Sequence, residues 1–306
     1  MEILSTQNLS RKYGGVYAVK DVNMHIEKGD IYGFVGENGA GKTTVIRLLT
    51  GLSVPTSGTY TLFGVRSSSK EIDKAKKKLS AVVESVALAK GMTALENLRL
   101  QATQTGVRKT DAELTELIAF VGLDAEAIRR RKVKNFSLGM RQRLGLALVM
   151  VSDPELILLD EPMNGLDPEG MIQIREIIKA LHEKGVTILI SSHILAELDL
   201  ICNKIGMISS GELLEEITME ELRKKGSRRT VIASPRAEEL QKALRDRLGL
   251  QKTELVGDAL TVYDDVVLND LLSAVAETKL PVTAFQTREE SVEDYYIQTI
   301  RGGNAK

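Results

Sequence analysis

The sequence contains little that would tie it to a membrane, to the cell exterior or to nucleic acid. Its single cysteine, Cys202, excludes an internal disulfide and fits a reducing compartment. No stretch approaches the ~18 consecutive apolar residues of a membrane-spanning helix. Residues 1–4 lack the basic start and apolar core of a signal peptide, and a net charge of −1 gives no general attraction to nucleic acid. We therefore expect a cytoplasmic protein without a nucleic-acid partner.

The composition is that of a globular protein with room for more than one domain. The 306 residues are 43% hydrophobic and 27% charged, which is typical of soluble globular chains. A chain of this length is long enough for one large domain and a small one.

The stretch 36–44 matches the phosphate-binding loop pattern G-x-x-x-x-G-K-[ST]. It consists of Gly36, Glu37, Asn38, Gly39, Ala40, Gly41, Lys42, Thr43 and Thr44. Its glycines let several backbone N–H groups point at phosphates, Lys42 brings a positive charge, and Thr43 offers a hydroxyl to Mg²⁺. The apolar run 31–35 predicts a buried strand before the loop, and a helix over about 42–50 follows it. The alternative is a chance glycine loop. With these flanks the pattern indicates nucleoside triphosphate binding with Mg²⁺, without separating ATPases from GTPases.

Two carboxylates follow a second predicted buried strand, at residues 156–159. Asp160 and Glu161 would lie beyond the carboxyl end of that strand, where ligands bind in α/β folds. We expect Asp160 to hold Mg²⁺ through water and Glu161 to orient an attacking water. Acidic residues also end strands in solvent, but the phosphate loop earlier in the chain favours the functional interpretation.

A third strand, predicted over 186–190, ends in Ser191, Ser192 and His193. A lone histidine is usually structural. Here His193 is a further polar residue at a strand end of the same predicted sheet, which favours a contact with the γ-phosphate.

The residues alone leave two roles undecided, that of Tyr13 and that of the stretch after Phe136. Tyr13 is predicted on a turn before the phosphate loop, either stacking on adenine or as an ordinary tyrosine, and spacing alone favours the second. Ser137 is predicted to cap a helix that runs to Val151, with Gly139 in its first turn. An anion could approach the backbone closely there, or the serine is a plain cap.

The order and spacing of these segments resemble the ATPase subunit of an ATP-binding cassette (ABC) transporter over roughly residues 2–215. The resemblance rests on the phosphate loop, 136–143 as signature motif, 156–161 as Walker B, 165–167 as D-loop and His193 as switch histidine. It implies an α/β P-loop ATPase domain with antiparallel β and helical subdomains. It also implies catalytic roles for Lys42, Glu161 and His193. For Tyr13, the resemblance favours the interpretation that its ring stacks on adenine.

The resemblance also implies partners and further site residues. Family members form head-to-tail dimers in the presence of ATP, so Ser137 and Gly139 would close on the γ-phosphate bound by a second, identical subunit, with Asp167 of the D-loop also at the nucleotide. A separate integral membrane permease is implied, which places the protein at the cytoplasmic face of the cell membrane.

Two departures from the family pattern matter. Residues 136–140 read Phe-Ser-Leu-Gly-Met instead of Leu-Ser-Gly-Gly-Gln, with the serine and second glycine kept. Glu84 stands where the family has a glutamine that contacts Mg²⁺, so it joins Thr43 and Asp160 as an expected metal ligand. Glu84 and its surroundings, 83–85 and 92–98, resemble the subgroup that exports bacitracin-like and lantibiotic peptides for immunity or resistance.

Beyond the cassette, predicted at 1–220, we expect a small accessory α+β domain at 226–306, with helices near 236–248, 266–279 and 291–300. Its role is either regulatory or dimer-stabilising, or it is a passive appendage. The alternatives to peptide export are another exported substrate, a translation or repair ATPase, and a non-enzymatic regulator. Translation factors carry two cassettes and repair ATPases a long coiled coil, and neither feature is present. The intact Lys42, Asp160, Glu161 and His193 argue against the regulator.

Overall fold

The computed structural model describes residues 1–124, 128–225, 229–264, 266–288, 295–296 and 299. The chain divides into two compact units, Met1–Met219 and Glu220–Lys306. Within the described residues, no helix is both long and apolar enough to cross a bilayer.

The first unit contains strands from two sheets and most of the helices. Its strands are β1 (Glu2–Tyr13), β2 (Val16–Val22), β3 (His25–Glu27), β4 (Ile31–Val35), β5 (Ser57–Leu62), β6 (Val65–Arg66), β7 (Leu79–Val82), β8 (Leu156–Asp160), β9 (Thr187–Ser192), β10 (Lys204–Ser209) and β11 (Glu212–Thr218). Its helices are α1 (Lys42–Thr50), α2 (Ile72–Lys76), α3 (Ala94–Thr105), α4 (Asp111–Phe120), α5 (Leu138–Met150), α6 (Pro168–Glu183) and α7 (Leu195–Asp199). A short 3-10 turn covers Val133–Asn135, and α8 (Met219–Lys225) runs across the division between the units.

The six-stranded sheet positions the candidate site. Its strand order is β11-β10-β4-β9-β8-β7, and every neighbouring pair is parallel except β10 and β11. Every residue of β4, β8 and β9 is buried, as expected for unbroken apolar runs covered on both faces. The carboxyl ends of β4, β8 and β9 therefore meet at one edge of the sheet.

The other sheet of this unit is antiparallel, with strand order β2-β1-β5-β6 and β3 paired to β1. One apolar core joins both sheets through α1, which buries Val45, Ile46, Leu48 and Leu49. A nine-residue helix is marginal on its own. Each fully buried aliphatic side chain contributes about 1.5–3 kcal/mol, so packing rather than helix propensity fixes the helix that begins at Lys42.

Side-chain caps set several helix starts. Ser137 caps α5 as predicted, its Oγ accepting from the N–H of Met140 at 3.2 Å. Asp167 caps α6 by accepting from the N–H of Gly170 at 3.0 Å, and Pro168 is the first helical residue. These caps fix the directions in which the two helices leave their loops.

The structure corrects some sequence-based boundaries. Tyr13 ends strand β1 instead of lying on a turn, and the turn itself is Gly14 and Gly15. The sequence also predicts a short helix over 124–131, and residues 125–127 of it lie outside the described residues.

The second unit is a small α+β fold, as predicted. Its elements are β12 (Arg229–Ala233), α9 (Ala237–Leu248), β13 (Thr253–Val256), β14 (Ala259–Val262), α10 (Leu268–Thr278) and β15 (Ala284–Arg288). The sheet order is β13-β14-β12-β15 with antiparallel neighbours, which is the ferredoxin-like βαββαβ arrangement. Most of the predicted helix at 291–300 lies outside the described residues.

Candidate active site

The phosphate loop joins the buried end of β4 to α1, and its backbone requires glycine. Gly39 and Gly41 have φ values of 85° and 110°, in the left-handed region. A Cβ at Gly36 would lie 2.5 Å from the carbonyl oxygen of Ile208. The loop therefore keeps a backbone path that side chains at these positions would block.

Lys42 folds back over this loop. Its side chain is only 5% exposed, and Nζ donates to the carbonyl oxygens of Gly36 at 2.6 Å and Glu37 at 3.1 Å. Nζ also lies 3.1 Å from Oε1 of Glu161. The ammonium thus bridges the loop and the acidic end of β8.

Asp160 is a buried carboxylate held by hydroxyl groups. Its Oδ2 accepts from Thr43 Oγ1 at 2.8 Å, and its Oδ1 accepts from Ser191 Oγ at 2.6 Å. Ser191 Oγ also accepts from the N–H of Glu161 at 3.0 Å. One serine at the end of β9 therefore orients both acids at the end of β8.

Glu161 lies between Lys42 and His193. Its Oε2 is 2.7 Å from Nδ1 of His193, while its Oε1 faces Lys42. An ionised carboxylate only accepts hydrogen bonds, so Nδ1 is the donor in that form. The φ of Glu161 is 49°, a backbone conformation that a non-glycine residue keeps only when its surroundings hold it. A carboxylate fixed in this way can accept a proton from a water molecule beside it.

Glu84 approaches this group through its backbone. Its N–H donates to Oδ2 of Asp160 at 3.3 Å. Its carboxylate is directed to α1, where Oε1 is 3.0 Å from Nη2 of Arg47. Of the predicted metal ligands, the structure thus brings Thr43 and Asp160 into direct contact and pairs the Glu84 side chain with an arginine.

Tyr13 has a ring fixed from one side. The Arg11 guanidinium carbon is 4.7 Å from the ring centroid, and the hydroxyl is 3.3 Å from Ser53 Oγ. Hydrogen bonding to Ser53 and then to Arg11 lowers the pKa of the Tyr13 hydroxyl. The residue is 45% exposed, so part of its ring surface is accessible.

Ser137 and Gly139 line a different groove, together with the D-loop residues Gly165, Leu166 and Asp167. All the lining residues of this groove fall between 137 and 173, and none belongs to the phosphate loop. The structure thus groups the predicted signature and D-loop residues with one another, apart from Lys42.

The oxygen-rich surroundings of Asp160 fit a magnesium ion bound together with phosphates. In the described part of the chain, no three His, Cys, Asp or Glu side chains form a cluster that would hold a metal alone. Mg²⁺ is usually bound by one or two carboxylates, water and substrate phosphates, so the Thr43 hydroxyl and the Asp160 carboxylate are suitable ligands.

Two residues of this constellation were not singled out as site residues from the sequence. Ser191 stands two residues before His193 at a predicted strand end, which is a usable signal. Arg47 is one of many basic residues on predicted helices, and no local pattern distinguishes it.

Comparison with known proteins identifies the family of the chain. Residues 19–164 match the family described as ABC transporter. The chain is 37% identical to the bacitracin transport ATP-binding protein BcrA of Bacillus licheniformis, covering 98% of each protein. It is 41% identical to the lantibiotic transport ATP-binding protein SrtF of Streptococcus pyogenes, covering 70% of this chain and 90% of that relative.

Solved structures show the same fold. The ATP-binding cassette MJ0796, in a dimeric post-hydrolysis state with ADP and Pi, has a TM-score of 0.63 and 25% identity, covering 71% of this chain and 99% of that one. A nucleotide-free cassette of an ABC transporter has a TM-score of 0.66 and 23% identity, covering 74% and 94%.

The chain belongs to the ATP-binding proteins of ABC transporters, and it is an ATPase. The fold class predicted from the sequence is confirmed, as is the resemblance to the bacitracin and lantibiotic group.

Proposed function

We propose that this protein powers a separate membrane permease by hydrolysing ATP, and that the permease exports an antimicrobial peptide of the bacitracin type. The observation that carries the proposal is the extent of the similarity. The two bacitracin transport ATP-binding proteins match 98% of this chain, whereas the lantibiotic relative matches 70%. A match of 98% has to extend into the accessory domain proposed at 226–306, which favours bacitracin-like over lantibiotic substrates.

The hydrolytic roles follow from the contacts around Glu161. The N–H groups of the loop and the Lys42 ammonium bind the β- and γ-phosphates. Glu161 accepts the proton of the attacking water, and His193 holds Glu161 through Nδ1 and contacts the γ-phosphate. Tyr13 stacks on the adenine through its accessible ring surface.

Thr43, Asp160 and Glu84 are the residues that would hold Mg²⁺ with the nucleotide. The ion would neutralise charge on the β- and γ-phosphate oxygens. The hydrogen bonds from Ser191 and from the Glu84 amide keep the Asp160 carboxylate in one orientation for this purpose.

The second groove supports an ATP-dependent dimer of identical subunits. Ser137, Gly139 and Asp167 lie together but outside the set of residues around Lys42, so they would complete the site of a partner. The dimeric state of the MJ0796 cassette supports this arrangement. The subunit would work at the cytoplasmic face of the membrane, where a permease could bind it.

The first test concerns hydrolysis. Replacing Glu161 by Gln keeps the side-chain shape but removes the proton acceptor, so ATP binding should persist while turnover falls by about 10²–10⁴-fold. A malachite-green phosphate assay measures turnover, and light scattering with ATP should show a dimer. Turnover close to that of the unmodified protein would refute the assignment of Glu161.

The second test concerns the substrate. The protein is produced together with its proposed permease in a peptide-sensitive bacterium, and resistance to bacitracin and to a lantibiotic is compared. Resistance to bacitracin that is lost with Glu161→Gln supports the proposal. Protection against the lantibiotic alone, or against neither peptide, contradicts the bacitracin assignment.

A further inference from the structure

The carboxylate of Glu84 is paired with a cation on the helix that follows the phosphate loop. Arg47 lies in the last turn of α1, and its Nη2 is 3.0 Å from Oε1 of Glu84. Both side chains are exposed, Arg47 to 43% and Glu84 to 55%. An ion pair this accessible to water contributes little free energy, so its partners can be exchanged.

The backbone of Glu84, in contrast, is fixed at the candidate metal site. Its N–H donates to the same Asp160 oxygen that accepts from Thr43 Oγ1. Its φ is 60°, in the left-handed region that a non-glycine residue occupies only when other contacts hold it. A fixed backbone and an exposed side chain let the carboxylate change partner without moving the chain away from Asp160.

The segment that follows Glu84 is attached to two helices. Val86 packs on α5 where Gly145 leaves room, since a Cβ at Gly145 would lie 2.5 Å from Val86 Cγ2. Asn97 of α3 accepts from the N–H of Ala89 at 2.8 Å and donates to its carbonyl oxygen at 3.2 Å. The residues that follow Glu84 thus contact α3 and α5, and α5 is the helix capped by Ser137.

We propose that Arg47 and Glu84 form a latch in which the Glu84 carboxylate exchanges between the Arg47 guanidinium and magnesium-bound ATP. The proposal rests on the function proposed above, because the exchange needs magnesium nucleotide at the phosphate loop. A carboxylate serves both partners: it pairs ionically with Arg47 and is a preferred oxygen ligand of Mg²⁺. A glutamine would keep the metal contact but lose the attraction to Arg47. Arg47 is thus a positioning residue that holds Glu84 until the metal nucleotide arrives.

A double-mutant cycle on nucleotide binding tests the latch. The dissociation constant of a fluorescent ATP analogue is measured for the unmodified protein, Arg47→Gln, Glu84→Gln and the double variant, each with Mg²⁺ and with EDTA. Removing Arg47 takes a cation away from the site, which weakens binding whether or not Glu84 is also replaced. In the protein that keeps Glu84, removing Arg47 also removes the cation that competes with Mg²⁺ for the Glu84 carboxylate. The quantity compared is the factor by which Arg47→Gln raises the dissociation constant. With Mg²⁺ this factor should be about threefold smaller in the protein that keeps Glu84 than in the protein that carries Glu84→Gln, and the coupling is expressed as the ratio of the two factors. With EDTA this ratio should fall to about one.

Arg99 and Asp111 supply a matched control pair. They form an ion pair between α3 and α4 with similar exposure, 50% and 61%. The cycle of Arg99→Gln and Asp111→Asn should give a ratio of about one with and without Mg²⁺. Circular-dichroism melting of all variants checks that each is folded.

The possible outcomes separate the latch from the function on which it rests. A ratio of one with Mg²⁺, or a ratio in the opposite direction, would overturn the latch and leave Arg47 as a fixed neutralising charge. Tight magnesium-dependent binding by the unmodified protein would keep the proposed ATP site in either case. No binding of the analogue by the unmodified protein would refute the proposed ATP site and the latch together.

Discussion

Replacing Ser191 by alanine should damage the site more than its small size suggests, because one hydroxyl holds both acids. Ser191 is fully buried, its Oγ donates to Asp160 at 2.6 Å and accepts from the N–H of Glu161 at 3.0 Å. A hydrogen bond to a charged group contributes about 1.5–3 kcal/mol and one between neutral groups about 0.5–1.5 kcal/mol. The free energy of unfolding should therefore fall by about 2–4 kcal/mol, as measured by urea denaturation.

Ser192 provides the matched control, because it is the next residue and is also buried. Its Oγ accepts from the N–H of Ile194 at 2.9 Å, so its removal loses a neutral hydrogen bond worth about 1 kcal/mol. If Asp160 holds Mg²⁺, Ser191→Ala should also raise the half-saturating Mg²⁺ concentration for ATPase activity by about 10- to 100-fold, since it removes the support of a metal ligand. Equal losses of stability in the two variants, or an unchanged Mg²⁺ requirement in Ser191→Ala, would refute this reasoning.

Two further predictions test the surroundings of the site. Arg175 of α6 and Glu197 of α7 form an ion pair with side-chain exposures of 15% and 17%. Arg175→Gln leaves the Glu197 charge without its partner, so the free energy of unfolding should fall by about 3–5 kcal/mol. The double variant with Glu197→Gln also removes that charge, so its free energy of unfolding should fall by less. An Arg175→Gln variant that is as stable as the unmodified protein in urea denaturation would contradict this prediction. Burial raises the pKa of the Cys202 thiol, so the native protein should not react with iodoacetamide at neutral pH and should react fully in denaturant. Rapid alkylation of the native protein, followed by mass spectrometry, would show that this part of the core opens.

Sequence alone predicted the elements whose causes are local. The predicted bounds of β4 and α1 agree with the observed ones, because an apolar run, a glycine loop and a helix-favouring stretch follow one another directly. Asp160 lies at the end of β8 and His193 directly follows β9, as the apolar runs before them indicate. Parallel pairing of these strands then brings their carboxyl ends to one edge.

Contacts between distant residues could not be predicted in the same way. The hydrogen bond from Ser191 to Asp160 depends on β9 lying next to β8, and the Arg47–Glu84 ion pair joins α1 to a residue two positions after β7. Tyr13 was assigned to a turn because the polar stretch before it breaks the strand pattern. Irregular register between Leu9 and Lys12 lets β1 continue through that stretch.

Near Asp160, helix α1 supplies a cationic side chain to each of two glutamates. Lys42 faces Glu161 and Arg47 faces Glu84, at 3.1 Å and 3.0 Å. Lys42 donates hydrogen bonds to the carbonyl oxygens of Gly36 and Glu37, whereas Glu161 Oε1 is an ion-pair partner that accepts no hydrogen bond from the described residues. One of the three N–H donors of the ammonium can therefore point at a phosphate. The carbonyl acceptors belong to the loop backbone, whereas the Glu161 carboxylate also has His193 as a partner. A phosphate bound at Lys42 would therefore share the ammonium charge with Glu161, while the contact with His193 keeps the carboxylate in place.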